Sequence, residues 1–207
     1  MLKEVFQLVD STGRRLYLTK EERQRFIAAA EKQRHEIRTF CYAMAHTGCR
    51  ISEALELSPE RIDLDAGVIA IRSLKKRVRK VKGKKMPPKT PFRSIPVPAD
   101  VLNTLNLVHD LRQARSDPKR RMARLWPWSR TTAWRHILAV MQAAGIEDGP
   151  HASPKGLRHA FGVNAIASGV TLNMLQKWMG HAYMETTAIY ANATGQEERD
   201  IAARMWA

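Results

Sequence analysis

Arg61-Ile-Asp-Leu64 and Val68-Ile-Ala-Ile-Arg72, joined by Asp65-Ala-Gly67, decide the fold class. Both runs alternate at a period of two and carry β-branched residues, and the turn residues between them predict a β-hairpin. Asp63, Asp65 and Gly67 are spaced like part of a calcium loop, but the Glu that closes such a loop is absent, so no metal is expected there. Further along the chain, Ile95-Pro-Val97 reads as a third short strand. Almost everything else repeats apolar residues at helical spacing.

Upstream, Thr19 and Glu22 form a capping box ahead of Phe26 and Ile27, predicting a helix from near Lys20. A second pattern runs through Ile37, Phe40, Cys41, Met44 and Ala45 and stops at Thr47-Gly48. Ile51 to Leu57 reads as a short helix closed by Ser58-Pro59. Downstream, Val101, Leu102, Leu105, Val108 and Leu111 keep one helical face, and Arg112 to Arg124 reads as a polar, basic connection. A helix through Trp134, Ile137, Leu138 and Met141 ends at Gly145. Ser153-Pro154 starts another, which Gly169 ends. Thr171 caps the next, which carries Leu172, Leu175, Trp178 and Met179 to Gly180. Two last helical pieces hold Tyr190 and then Ala202 to Trp206. There is no repeat and no linker. The expected architecture is a single domain, 1–207, mainly α with a small antiparallel β-sheet (α+β).

Lys and Arg number 35 against 20 Asp and Glu, a formal charge of +15 in 207 residues. That surplus calls for a polyanionic partner, and nucleic acid is the first candidate. No stretch approaches the roughly 20 apolar residues that span a bilayer, and no basic amphipathic helix is present, so no membrane partner is expected. The start, MLKEVFQLVDS, does not read as a signal peptide. Cys41 and Cys49 lie in or beside an apolar helical pattern with no metal spacing, and read as reduced packing thiols of a cytoplasmic protein. The charge concentrates between Ala66 and Ala99, where eleven Lys or Arg occur without one acid.

Phosphodiester exchange without a metal needs a nucleophile, cations for the phosphorane-like transition state, and an acid for the leaving 5′-oxygen. Arg suits the second task because its planar fork matches two phosphate oxygens, while Lys and His suit proton donation. The chain offers Thr47-Gly-Cys-Arg50-Ile-Ser-Glu53, the basic hairpin, Lys155-Gly-Leu-Arg158-His159, Gly180-His181 and Thr186-Thr-Ala-Ile-Tyr190 in that order. Each piece alone has a plain structural reading, such as a surface Arg, a C-cap His or a half-buried Tyr. Lys155 near a helix N-terminus opposes the helix dipole, which points to an anion nearby. There is no carboxylate cluster for two-metal chemistry and no glycine-rich phosphate loop, so neither metal nor cofactor is expected.

TGCRISE, GLRHAFG, LQKWMGH and TTAIYA resemble the motif boxes of the tyrosine recombinases, or phage integrases, over residues 19–207. The resemblance implies a catalytic domain of helices around a small sheet, cutting double-stranded DNA through a 3′-phosphotyrosyl intermediate and a Holliday junction. It implies that Arg50 and Arg158 bind the non-bridging phosphate oxygens, Glu53 orients the site, His181 hydrogen-bonds the phosphate and Tyr190 is the nucleophile. The family's catalytic Lys, at the end of the second strand, falls on Lys75, with Lys76 and Lys89 as alternatives. Lys155 stands where the family has His; an ammonium there donates to the phosphate or stabilises a phenolate. His159 is not that His and is taken as a supporting residue.

Lys76, Arg77, Arg79, Lys80, Lys82, Lys84, Lys85 and Lys89 are expected to contact the DNA backbone. Self-association on DNA, as a tetramer at synapsis, is expected through a C-terminal helix whose Ile201, Ala202, Met205 and Trp206 form an apolar end, and an accessory DNA-binding protein is a further expected partner. The family's separate amino-terminal DNA-binding domain is expected to be absent. The implied setting is the bacterial cytoplasm, at the nucleoid, with a phage or mobile element as the source. Relaxation in the manner of a type IB topoisomerase, or non-catalytic DNA binding, are the rival expectations.

Overall fold

The structure is a computed structural model that describes residues 8–74, 79–81, 84–86, 92–192 and 196–203. Helix α1, Lys20–Glu31, begins at the expected capping box: Thr19 Oγ1 accepts from the Glu22 amide at 3.3 Å, and a Glu22 carboxylate oxygen accepts from the Thr19 amide at 2.9 Å. Helix α2, His35–Thr47, buries Thr39, Phe40, Cys41, Ala43, Met44, Ala45 and Thr47, and so runs through the middle of the core. It ends at Gly48, and Arg50 then opens a single turn, α3, Ile51–Ala54. That turn is shorter than the helix expected to Leu57.

A 3-10 turn, Pro59–Arg61, leads into β1, Ile62–Asp63, and β2, Val68–Arg72. The two strands pair antiparallel, Ile62 opposite Ile69, as the hairpin pattern predicts. The Asp63 carboxylate accepts from the amides of Asp65 and Ala66 at 3.1 and 2.9 Å. It fixes the turn. A separate antiparallel ribbon follows, β3 (Arg79–Val81) with β4 (Lys84–Met86). Strand β5, Phe92–Pro96, pairs antiparallel with β2 and completes a sheet of order β1-β2-β5. It begins three residues earlier than Ile95, so alternation turns Arg93 inward beside Ile95 while Phe92 and Ser94 face out.

Helix α4, Ala99–His109, breaks at Asp110, where φ is +49°, and a further helix, α5, Leu111–Ser116, follows. The expected irregular connection from Arg112 is thus helical at its start. Leu111 and Ala114 face the core three residues apart and hold the turn, while the basic residues stay outside. Helices α6 (Arg130–Ala143), α7 (Pro154–Ala167) and α8 (Leu172–Met179) match the sequence pattern. The Thr171 side chain binds Asn173 Oδ1 and makes no bond to the α8 backbone, so the expected cap holds in position only. A short helix α9, Glu185–Ala188, runs into a 3-10 turn, Ile189–Asn192, and α10, Gln196–Ala203, packs against α7 of the same chain. Met205 and Trp206 lie outside the described residues.

The main core centres on α2, with Trp126 as its largest side chain: its ring meets Phe40 edge-on at 5.1 Å and its Nε1–H donates to Thr39 Oγ1 at 3.2 Å. A second cluster gathers Val163, Ala165, Leu175, Met179 and Tyr190 with Leu8 and Tyr17, which flank a small turn closed by a Val9–Arg15 bridge. Cys41 and Cys49 are free and buried in the main core. Among the described residues no helix is long and apolar enough to cross a membrane.

Candidate active site

Helix α7 organises the site. Ser153 Oγ accepts from the Gly156 amide at 3.1 Å and fixes the first turn. Lys155, Arg158, His159 and Gly162 then fall at i, i+3, i+4 and i+7, one stripe of the helix. That stripe forms one wall of a cleft of about 560 Å³ whose lining includes Arg50, Glu53, Lys155, Arg158, His159, His181 and Tyr190. The folding thus brings together every predicted site residue that it describes outside the basic segment. Leu74, the last described residue before Lys75, lies on the rim. Lys75, Lys76, Arg77, Lys82 and Lys89 lie outside the described residues; Arg79, Lys80, Lys84 and Lys85 are on the β3–β4 ribbon.

Arg158 is 7% exposed. Its Nη1 donates to the Gly48 carbonyl at 2.5 Å, and its Nη2 to the Met179 carbonyl at 2.8 Å and His181 Nε2 at 3.0 Å. The guanidinium therefore ties the end of α2 to the end of α8, and keeps N–H groups in reserve for a ligand in the cleft. Burial, with Arg50 adding like-charge repulsion, lowers its pKa to about 10, so it stays cationic at neutral pH. A guanidinium only donates, so we assign the neutral His181 as the tautomer that accepts at Nε2 and donates from Nδ1 to Thr187 Oγ1 at 3.0 Å. Burial first, then Arg158 and Arg50, push the pKa of His181 down to about 3.

Arg50 is half-exposed, and its Nη1 pairs with Glu53 Oε1 at 3.1 Å while its amide donates to Oε2 at 3.0 Å. Burial raises the Glu53 carboxyl, but Arg93 and Arg50 outweigh that and hold it below the ordinary range. Glu53 is thus an ionised, buried anchor.

Tyr190 is only 1% exposed, yet it lines the cleft, and its hydroxyl sits 3.1 Å from His159 Nδ1. Its ring stacks on His181 at 9° between planes and lies on Gly162, where a Cβ would come within 2.5 Å of the ring. Burial raises the phenol to about 12, partly offset by Arg158 and Arg50. Burial, then Lys155 and Arg158, lower His159 to about 4, so this imidazole is neutral at pH 7. The arrangement offers an anion two guanidiniums and a rim ammonium, and sets a phenol against a neutral base.

Sequence reasoning missed Arg93, whose guanidinium pairs with Glu53 Oε2 at 2.5 Å. The signal was legible: Arg93, Ile95 and Val97 share one parity, and the latter two are core residues. It also missed Thr187, fully buried under His181. Among the described residues no group of three or more His, Cys, Asp or Glu could hold a metal ion.

The model of the phage integrase family matches residues 16–197. The chain is 28% identical over 188 residues to tyrosine recombinase XerA of Thermococcus kodakarensis, covering 88% of this chain and 60% of that protein. A crystal structure of XerA recombinase superposes with a TM-score of 0.71 at 24% identity, over 91% of this chain and 64% of that one. XerH recombinase, in a post-cleavage complex with its palindromic difH substrate, gives 0.70 at 20% identity, over 100% and 58%. The chain thus spans about 60% of the length of such relatives, and its fold is that of their shared domain. On the extent of the family match and the agreement of fold, the chain belongs to the phage integrase family.

Proposed function

We propose that this chain is the catalytic domain of a tyrosine-type site-specific DNA recombinase, cutting one strand through Tyr190 without a metal ion. The observation that carries the reading is the cleft itself. Arg50, Arg158, Lys155, His159, His181 and Tyr190 converge there from four separate stretches of a chain of this family. In this reading Tyr190 Oη attacks the scissile phosphorus, a P–O bond forms to tyrosine, and the bond to O5′ breaks. The phenolic proton passes to His159 Nδ1, the nearest base, so His159 takes the acceptor role that Lys155 cannot fill as an ammonium. Arg50 and Arg158 neutralise the non-bridging oxygens. Lys75, assigned by resemblance, protonates the leaving O5′. A 5′-hydroxyl from the partner strand reverses the steps and completes exchange.

Double-stranded DNA as partner is supported by the +15 charge and by XerH, a structural relative bound to its DNA substrate. The Lys-rich segment from Lys76 to Lys89 grips the backbone, and assembly as a tetramer through the C-terminal helix, with or without an accessory protein, brings two sites together. The workplace is the nucleoid of the cytoplasm. The test is a duplex selected for cleavage from a random pool, then placed twice on one plasmid. Recombinase activity exchanges the flanks in the presence of a chelator. Relaxation without exchange supports the topoisomerase reading, and absence of both supports a DNA-binding protein.

A further inference from the structure

Arg93 carries a charge into the core, 6% exposed, and it is not among the residues lining the cleft. Its Nε donates to the Trp178 carbonyl at 2.7 Å, its Nη1 to Ser73 Oγ at 2.9 Å and its Nη2 to Glu53 Oε2 at 2.5 Å. These partners belong to three stretches that each lead to the cleft. Glu53 holds Arg50 by amide and guanidinium. Ser73 precedes Leu74 on the rim. Trp178 stands just before the Gly180 turn, which presents His181.

The neighbouring carbonyl, of Met179, is held by Arg158, so two guanidiniums cap consecutive carbonyls at the end of α8. Gly180 completes the fit: its φ is +65°, and a Cβ there would lie 3.1 Å from the Arg93 side chain. The guanidinium spreads its donors over three nitrogens in one fixed plane and so spans three separated acceptors, whereas a lysine ammonium offers its three donors from a single atom. A buried ion pair such as Arg93–Glu53 is often no more stabilising than apolar residues of equal volume. Stability alone is therefore a weak reason for a charge at this point, and geometry is a better one.

We propose that Arg93 is a positioning residue for strand cleavage: one guanidinium fixes Glu53, and through it Arg50, relative to the turn that presents His181. The proposal rests on the cleavage chemistry proposed above. It is tested with Arg93→Lys, Arg93→Met and the double variant Arg93→Met/Glu53→Gln, which removes the buried charge together with its counterion. Each is measured for melting temperature, for duplex binding, and for single-turnover covalent adduct on a nicked duplex. The scissile group is either a phosphodiester or a methylphosphonate, which lacks one charge for the guanidiniums to neutralise.

The double variant is expected to fold and to bind DNA within about threefold of wild type. Its adduct formation on the phosphodiester should fall about 10²-fold, the scale for one lost transition-state donor. On the methylphosphonate the loss should shrink by about tenfold, and Arg93→Lys should lie between wild type and the double variant. Should Arg93→Met alone fail to fold, the other two variants carry the test. A folded double variant that cleaves at the wild-type rate, or equal losses on both substrates, overturns the positioning role. Wild-type protein that forms no adduct overturns the cleavage reading instead, and is seen before any variant is compared.

Discussion

Tyr190 lies flat against a helix because residue 162 has no side chain. A Gly162→Ala substitution puts a methyl 2.5 Å from the ring, and the ring, not the α7 backbone, is what can move. We expect this variant to bind DNA normally and to lose at least about tenfold in adduct formation, the order of effect that a small misplacement of a reacting group produces. The two arginines should separate from each other. Arg50 is half-exposed, so Arg50→Ala should leave the melting temperature nearly unchanged while slowing cleavage about 10²- to 10³-fold. Arg158 also ties Gly48 to Met179, so Arg158→Ala should slow cleavage as much and lower the melting temperature too. If binding and cleavage fall in parallel for Arg50→Ala, that residue is an ordinary backbone contact.

At the scale of elements, the ends of helices were legible because their causes are local. Thr19 with Glu22, Gly48, Ser153-Pro154 and Gly180 each mark an end within a residue or two. The hairpin was legible from its alternation. What was not legible depends on distant partners. Helix α5 exists because Leu111 and Ala114 find the core, and the polar composition around them hides this. The inward parity of Arg93 could be read from Ile95 and Val97, but its pairing with Glu53, 40 residues away in the chain, could not. The residues of the cleft were legible by resemblance, but the contact between His159 and Tyr190 arises only when the Ile189–Asn192 turn folds back on α7. Since α7 supplies a whole wall of the cleft, its cap should matter to both fold and chemistry. Ser153→Ala is expected to cost about 1 kcal/mol in urea unfolding, with a smaller effect on cleavage than any change at Arg158.

Burial lowers several imidazoles across the molecule, most of all His109 and His159, to about 4, and His181, to about 3, each from an ordinary 6.5. The unfolded chain takes up these protons near pH 6.5, and the folded chain only near pH 3 to 4. Stability from this source is complete above pH 6.5 and falls as pH drops from there toward 4, by at most about 1.4 kcal/mol per pH unit for each histidine. Urea midpoints between pH 7 and 5 should show that fall, and His109→Gln should flatten it. The +15 charge governs affinity in a different way. About six phosphate contacts would lower it roughly 10³-fold between 50 and 200 mM salt, and deletion of Arg77 to Met86 should flatten that slope. The proposed cleavage comes down to one bond, between Tyr190 and a 3′-phosphate. The direct measurement is to trap the protein on a nicked duplex that lets the cut strand diffuse away, digest the adduct, and locate the nucleotide by mass spectrometry. The expected result is a denaturant-stable adduct on the peptide containing Tyr190, formed in the presence of a chelator and lost in Tyr190→Phe. An adduct that persists in Tyr190→Phe, or that maps to another residue, would contradict it.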